Sequence, residues 1–118
     1  PLRRMSKFTK RMMQSIDYDK AAQRRLDNYN YLRKHLGGRQ LSYGEVPIVF
    51  PFVSEKGQEL RKELISQKVF VAKYWPNVEE WAGDDAVETW MANHILPLPI
   101  DQRYGLDDMN RIINFIRK

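Results

Sequence analysis

The chain has 118 residues, 42% of them hydrophobic and 30% charged, and contains no cysteine. That length holds one domain with a modest core, and the composition is that of a globular fold. Disulfides and thiolate metal sites are excluded, and no apolar run approaches the roughly 18 residues of a membrane-spanning helix.

The basic start is not followed by an apolar stretch, so no secretory leader is read there and a cytoplasmic location is expected. The chain starts at Pro1 rather than Met, as expected of a piece of a longer protein. Charge is unevenly placed. Residues 1–40 hold 11 Lys and Arg against 3 Asp, whereas residues 41–118 hold 9 against 12 Asp and Glu. A basic half fits nucleic acid or a phosphate-rich ligand, or a solvated helix face whose acidic counterpart lies elsewhere on a parent protein. No nucleic-acid recognition motif accompanies the charge, so the second reading is preferred.

Taken in chain order, residues 6–14 read as a short helix with Phe8, Met12 and Met13 on one side. Asp17 is a good N-cap for a longer helix ending near Leu36. Tyr18, Ala22, Leu26, Tyr29, Leu32 and Leu36 recur every three or four residues and make one core-facing stripe. Gly37-Gly38 stops it, because glycine tolerates the left-handed conformation at a helix end.

Val46–Val53 is strand-like but carries Pro47 and Pro51, which confine it to an edge or interrupt it. Ser54 suits the cap of a helix over 55–67, with Leu60, Leu64 and Ile65 inward. Val69–Trp75, β-branched and aromatic, reads as a second strand, ended by Pro76. Residues 77–84 look like a loop carrying Trp81 and Gly83. Asp85 with Glu88 has capping-box spacing, so a helix is expected over 86–93. Ile95–Ile100 is a third short strand broken by prolines. The last helix, 106–117, buries Met109, Ile112, Ile113 and Ile116 and starts with Asp107 and Asp108, which suits its dipole. Three short strands cannot bury both faces alone, so the expected class is α+β, a three-stranded sheet covered by helices. The core is predicted to hold Leu26, Leu32, Ile48, Phe50, Leu64, Val71, Ile112 and Ile116.

Few residues carry chemistry. His35 and His94 are the only histidines and have no partner at ligand spacing, so no metal site is read. No nucleophile elbow and no phosphate-cradling glycine loop is present. Lys73-Tyr74-Trp75-Pro76 is the best candidate for a ligand contact. A cation and two aromatics at an element's end suit a phosphate and a stacked sugar or base. The alternative is a solvated Lys73 beside core aromatics. Arg103, in the Asp101–Gly105 turn, has the planar fork for a phosphate or carboxylate, although such a turn also needs Asp and Gly for local reasons.

The run HILPLPIDQRYGLDDMNRII from His94 to Ile113 is the most distinctive part of the chain. With PIVFPF from Pro47, ELRKELI from Glu59 and KYWP from Lys73, it resembles the C-terminal small domain of DegT/DnrJ/EryC1/StrS sugar aminotransferases. The resemblance spans most of the 118 residues. It implies the small domain of a fold-type I enzyme with a mainly antiparallel sheet. It also implies a parent that transfers an amino group to a nucleotide-linked keto-sugar in polysaccharide or lipopolysaccharide biosynthesis. The parent's cofactor would be pyridoxal phosphate, carried on a lysine of a large N-terminal domain that this chain does not contain. The chain alone is therefore expected to bind no cofactor and to be inactive. The substrate-binding expectations are Lys73, Tyr74 and Arg103, and no catalytic residue is expected here. The expected partners are the nucleotide sugar and the large domain, with neither nucleic acid nor membrane. A stand-alone ligand- or protein-binding module of the same fold, or a basic nucleic-acid-binding domain, are the competing readings. A domain of this kind is predicted to leave Phe8, Met12, Met13 and Trp81 on an apolar patch, or to hide them in a homodimer.

Overall fold

The computed structural model describes residues 2–118, and among them the class is α+β with a two-stranded antiparallel sheet. In chain order the elements are α1 (Lys7–Gln14), α2 (Tyr18–Leu36), β1 (Val49–Val53) and α3 (Gly57–Ser66). There follow α4 (Val78–Ala82), α5 (Val87–His94), β2 (Ile95–Pro99) and α6 (Leu106–Ile116). No helix among these residues is long and apolar enough to cross a membrane.

The helix ends follow local chemistry. The Asp17 carboxylate accepts from the Lys20 amide at 2.9 Å and starts α2. Gly37, at φ +79°, ends it. At α6, the Asp108 carboxylate accepts from the Gly105 amide at 2.9 Å. Ser54 and Asp85 do not act as expected. The Ser54 hydroxyl accepts only from the Lys56 amide at 3.2 Å, inside the turn before α3. α5 begins after Ala86 with no side-chain cap. The segment expected as a loop over 77–84 instead contains α4. Its Val78, Trp81 and Ala82 have helical spacing, and Gly83 at φ +84° closes it.

The register explains the sheet. β1 and β2 pair Val49 with Pro99, Phe50 with Leu98, Pro51 with Pro97, Phe52 with Leu96 and Val53 with Ile95. Proline has no N–H, so pairs that contain it must be the non-hydrogen-bonded ones. The ladder therefore runs through Phe50–Leu98 and Phe52–Leu96. It continues past the strand ends, where the Ser54 amide donates to the His94 carbonyl at 2.9 Å. The same arithmetic puts Phe50, Phe52, Leu96 and Leu98 on one face, toward the core. Val49, Pro51, Val53, Ile95, Pro97 and Pro99 occupy the other.

The expected third strand does not form: residues 69–75 lie outside the sheet. In a non-hydrogen-bonded pair the backbone groups point away from the partner strand. Pro51 and Pro97 therefore leave the middle of both outer edges without a donor, and a third strand has poor footing on either side. The segment keeps an alternation all the same, with Val71 buried and Phe70 and Tyr74 exposed.

The core lies between the inner sheet face and helices α2, α3 and α6. Tyr29, Leu32, Phe50, Leu64, Leu96, Leu98, Met109, Ile112 and Ile113 are buried there. Each such large side chain contributes about 1.5–3 kcal/mol relative to exposure. Of the predicted core, Leu32, Phe50, Leu64, Val71 and Ile112 are buried, and Leu26 and Ile116 are half-buried. Ile48 is instead 72% exposed, because the chain bends there, after Pro47 and before the ladder begins. α1 buries nothing, and Phe8, Met12, Met13 and Trp81 are all exposed.

Two buried polar side chains tie the pieces together. Asn28 of α2 is fully buried, and its amide donates to the carbonyls of Ile100 at 3.1 Å and Tyr104 at 3.0 Å. Arg61 of α3 donates to the carbonyls of Ala92 and Ile95 at 3.4 and 3.3 Å, closing the C-terminus of α5. Burial lowers the guanidinium's pKa.

Candidate functional site: an apolar groove on the outer face of the strand pair

The proline-bearing face of the β1–β2 pair is the floor of a groove of about 480 Å³. Val49, Pro51, Ile95 and Pro97 make the floor. Tyr74, Trp75, Val78 and Trp81 make one wall, and Glu88, Met91 and Ala92 of α5 the other. The chemistry of this lining is dispersion and stacking, with Glu88 the one carboxylate in it.

The aromatic wall depends on an unusual backbone. Trp75 has φ +49°, the left-handed region that β-branched and bulky residues avoid. Such a conformation costs on the order of 1–3 kcal/mol and persists only where surrounding structure imposes it. Here the following turn holds it, with the Val78 amide donating to the Trp75 carbonyl at 3.0 Å. The reversal sets the Tyr74 and Trp75 rings 6.1 Å apart at 58°, both on the groove. Neither ring is core, in contrast to the alternative the sequence left open.

Lys73 sits half-buried beside this wall, and its ammonium lies 2.8 Å from the Glu79 carboxylate of α4. Hydrogen bonding from Lys73, with a smaller contribution from Asn93, holds the Glu79 carboxyl below its usual range. Lys73 is thus neither a free surface cation nor a groove-lining residue. It is a tethered charge adjoining the aromatic wall, released only if a stronger anion displaces Glu79.

Arg103 lies elsewhere. Its fork is filled by Asp101, with Nε 2.8 Å from Oδ1 and an Nη 2.9 Å from Oδ2, and the guanidinium stands 5.4 Å over the Tyr104 ring. The pairing raises the Arg103 pKa and lowers that of Asp101. The residue follows the far end of β2, whereas the Lys73–Glu79 pair adjoins Asn93 before its start. At about 3.3 Å per residue the intervening strand separates them by on the order of 20 Å. Tyr74 and Lys73 are therefore brought together, and Arg103 is not among the groove residues.

His94 closes α5, its Nδ1 2.8 Å from the Trp90 carbonyl and its ring stacked on Trp90 at 4.6 Å. Among the described residues no three His, Asp or Glu converge as a metal site would require. The groove residues missed in the sequence are Val78, Met91, Ala92 and the floor itself. Val78 was signalled by its spacing to Trp81 and Ala82, but the floor required the strand register.

No family model matches the chain, and neither does any curated protein or solved structure.

Proposed function

We propose that the chain is the cleft-shaping C-terminal domain of a pyridoxal-phosphate-dependent nucleotide-sugar aminotransferase of polysaccharide or lipopolysaccharide biosynthesis. In this reading it is the small domain of a fold-type I enzyme and acts in the cytoplasm. Support comes from the resemblance of the His94–Ile113, Pro47–Phe52, Glu59–Ile65 and Lys73–Pro76 segments to that family. The observation that carries the reading is the groove, with the Tyr74 and Trp75 rings in its wall and the Lys73 ammonium beside it. Aromatic faces stack on a sugar or base, and a tethered lysine meets a diphosphate. The lining is too apolar to orient sugar hydroxyls, so those hydrogen bonds must come from the companion domain. That domain would also carry the lysine that holds the cofactor, which supplies the electron sink for amino transfer. Arg103, occupied by Asp101, serves this reading only as a positioning residue of the β2–α6 turn.

Titrating uridine- and thymidine-diphosphate sugars into the chain while recording amide NMR spectra tests the proposal. Shifts should concentrate at Lys73, Tyr74 and Trp75, and vanish in Lys73→Ala. Shifts confined to the basic N-terminal helices, with the groove silent, would sink it. Pyridoxal phosphate added to the chain alone should give no stoichiometric lysine-bound absorption band, whereas a longer chain carrying the lysine domain should.

A further inference from the structure

Two unpartnered surfaces of the chain complement one another. α1 places Phe8 and Met12 one turn apart, with Lys7, Lys10 and Arg11 at the spacing of a separate face, and all are exposed. Residues 2–14 contain Arg3, Arg4, Lys7, Lys10 and Arg11 and no acid. The segment 78–91, which contributes to both groove walls, contains Glu79, Glu80, Asp84, Asp85 and Glu88 and no base. An uncovered helix that is apolar and basic thus matches an apolar groove whose wall helices and their connecting turn carry acidic residues.

We propose that α1 of one copy docks in the groove of a second copy, and that the exchange is reciprocal, giving a two-fold dimer. Phe8 and Met12 would enter between Trp81 and Met91, and Lys7, Lys10 and Arg11 would meet Glu80, Asp84 and Glu88. The occupant comes from a second chain because of topology. Only Ser15, Ile16 and Asp17 join α1 to α2, and α2 covers the inner face of the sheet, where Tyr29 meets Phe50 at 5.1 Å. The groove opens on the opposite face. An eight-residue helix is also marginal in water without a surface to pack on. Mutual exchange closes on itself and leaves no open end for further copies. The helix would occupy the groove that the proposed function assigns to the nucleotide sugar, so the two occupants would compete for it.

Sedimentation equilibrium on the chain, with charge reversal, tests it. The wild type should be a dimer. Phe8→Asp should weaken association at least about tenfold, as expected for a buried aromatic anchor. Lys7→Glu with Lys10→Glu and Arg11→Glu should do the same. Adding Glu80→Lys, Asp84→Lys and Glu88→Lys to that triple variant should restore the dimer. Far-UV circular dichroism separates loss of the dimer from loss of the fold. A monomeric wild type at millimolar concentration, or a dimer indifferent to Phe8→Asp, would overturn the proposal. So would a carbodiimide cross-link between Lys10 and Glu80 found only within single chains. Retention of the monomer on phosphatidylserine vesicles, with Phe8 and Met12 shielded, would assign α1 to a membrane surface instead.

Discussion

Asn28 is the residue whose removal should do most damage per atom lost. It is fully buried in α2, and its amide donates to Ile100 and Tyr104 at 3.1 and 3.0 Å, with a longer approach to Asp101 at 3.4 Å. Alanine removes the donor and leaves two or three carbonyls in or near the core without a partner. At about 1 kcal/mol per net hydrogen bond, and 1–3 kcal/mol for each acceptor left dry, Asn28→Ala should cost about 2–4 kcal/mol. For a chain of this size roughly 4 °C is lost per kcal/mol, so Tm should fall by about 8–16 °C. Asn28→Asp keeps the shape but turns an ionisable oxygen toward carbonyl oxygens, and should be worse at pH 7 than at pH 3. The lesion should also be local. The turn that carries Arg103 hangs on this amide, so exchange of the Tyr104 amide, which donates to Asp101 at 3.1 Å, should accelerate more than that of Leu64. A drop in Tm under about 2 °C, or equal acceleration at both positions, would refute the reasoning.

Gly57→Ala should destabilise by about 1–3 kcal/mol, because a Cβ there meets the backbone of Asn93 and comes within 2.9 Å of the His94 Cα; urea melts measure it. In an enzyme that contains the lysine domain, Lys73→Ala should reduce kcat/KM for the sugar roughly ten- to a hundredfold, about 1.5–3 kcal/mol, and leave the amino-donor half-reaction unchanged. Equal losses in both half-reactions would return Lys73 to its structural pairing with Glu79. Acid should weaken the fold through Glu79, Glu45 and Asp101, whose carboxyls are held low by Lys73, Arg39 and Arg103 respectively. A depressed folded pKa contributes stability above the unfolded value and loses it as pH falls through the folded one. The decline should therefore begin near the ordinary values of 4.5 for Glu and 3.8 for Asp and continue below them. Denaturant titrations from pH 7 to pH 2 should show this slope, reduced in Asp101→Asn.

Helix stripes and helix stops were legible because they are local. The Asp17 cap, the Gly37 stop and the Met109–Ile112–Ile113 stripe each lie within a few residues of the structure they specify. Sheet size was not legible in the same way. Val69–Trp75 has strand composition and keeps the alternation of a strand, but a ladder needs a neighbour with free donors, and Pro51 and Pro97 deny it one. The two capping expectations failed for a related reason. Ser54 is committed to the turn that brings Gly57 against α5, and Asp85 lies in the turn between α4 and α5 rather than at a helix start. The Lys73–Tyr74–Trp75 cluster could be read as one unit, since three consecutive residues share a neighbourhood by covalent geometry. Its groove could not, because the floor comes from β1 and β2 and the far wall from α5.

Prolines that look like defects in a strand instead divide the labour of this strand pair. Placed on one parity of both strands, they spare the ladder, which needs the N–H groups of Phe50, Phe52, Leu96 and Leu98. Those four side chains face the helices and hold the domain together. The proline rings face the other way, where they contribute apolar surface but no hydrogen-bonding capacity, and they blunt both sheet edges against further strands. A strand pair built in this manner can meet another molecule only through its outer face, by shape and dispersion. The strained Trp75 and the aromatic wall lie on that side, with the tethered Lys73 beside them. Substitutions at Phe50 or Leu98 should therefore register as lost stability, and those at Pro51, Trp75 or Trp81 as lost recognition, with the β-ladder as the dividing line between the two.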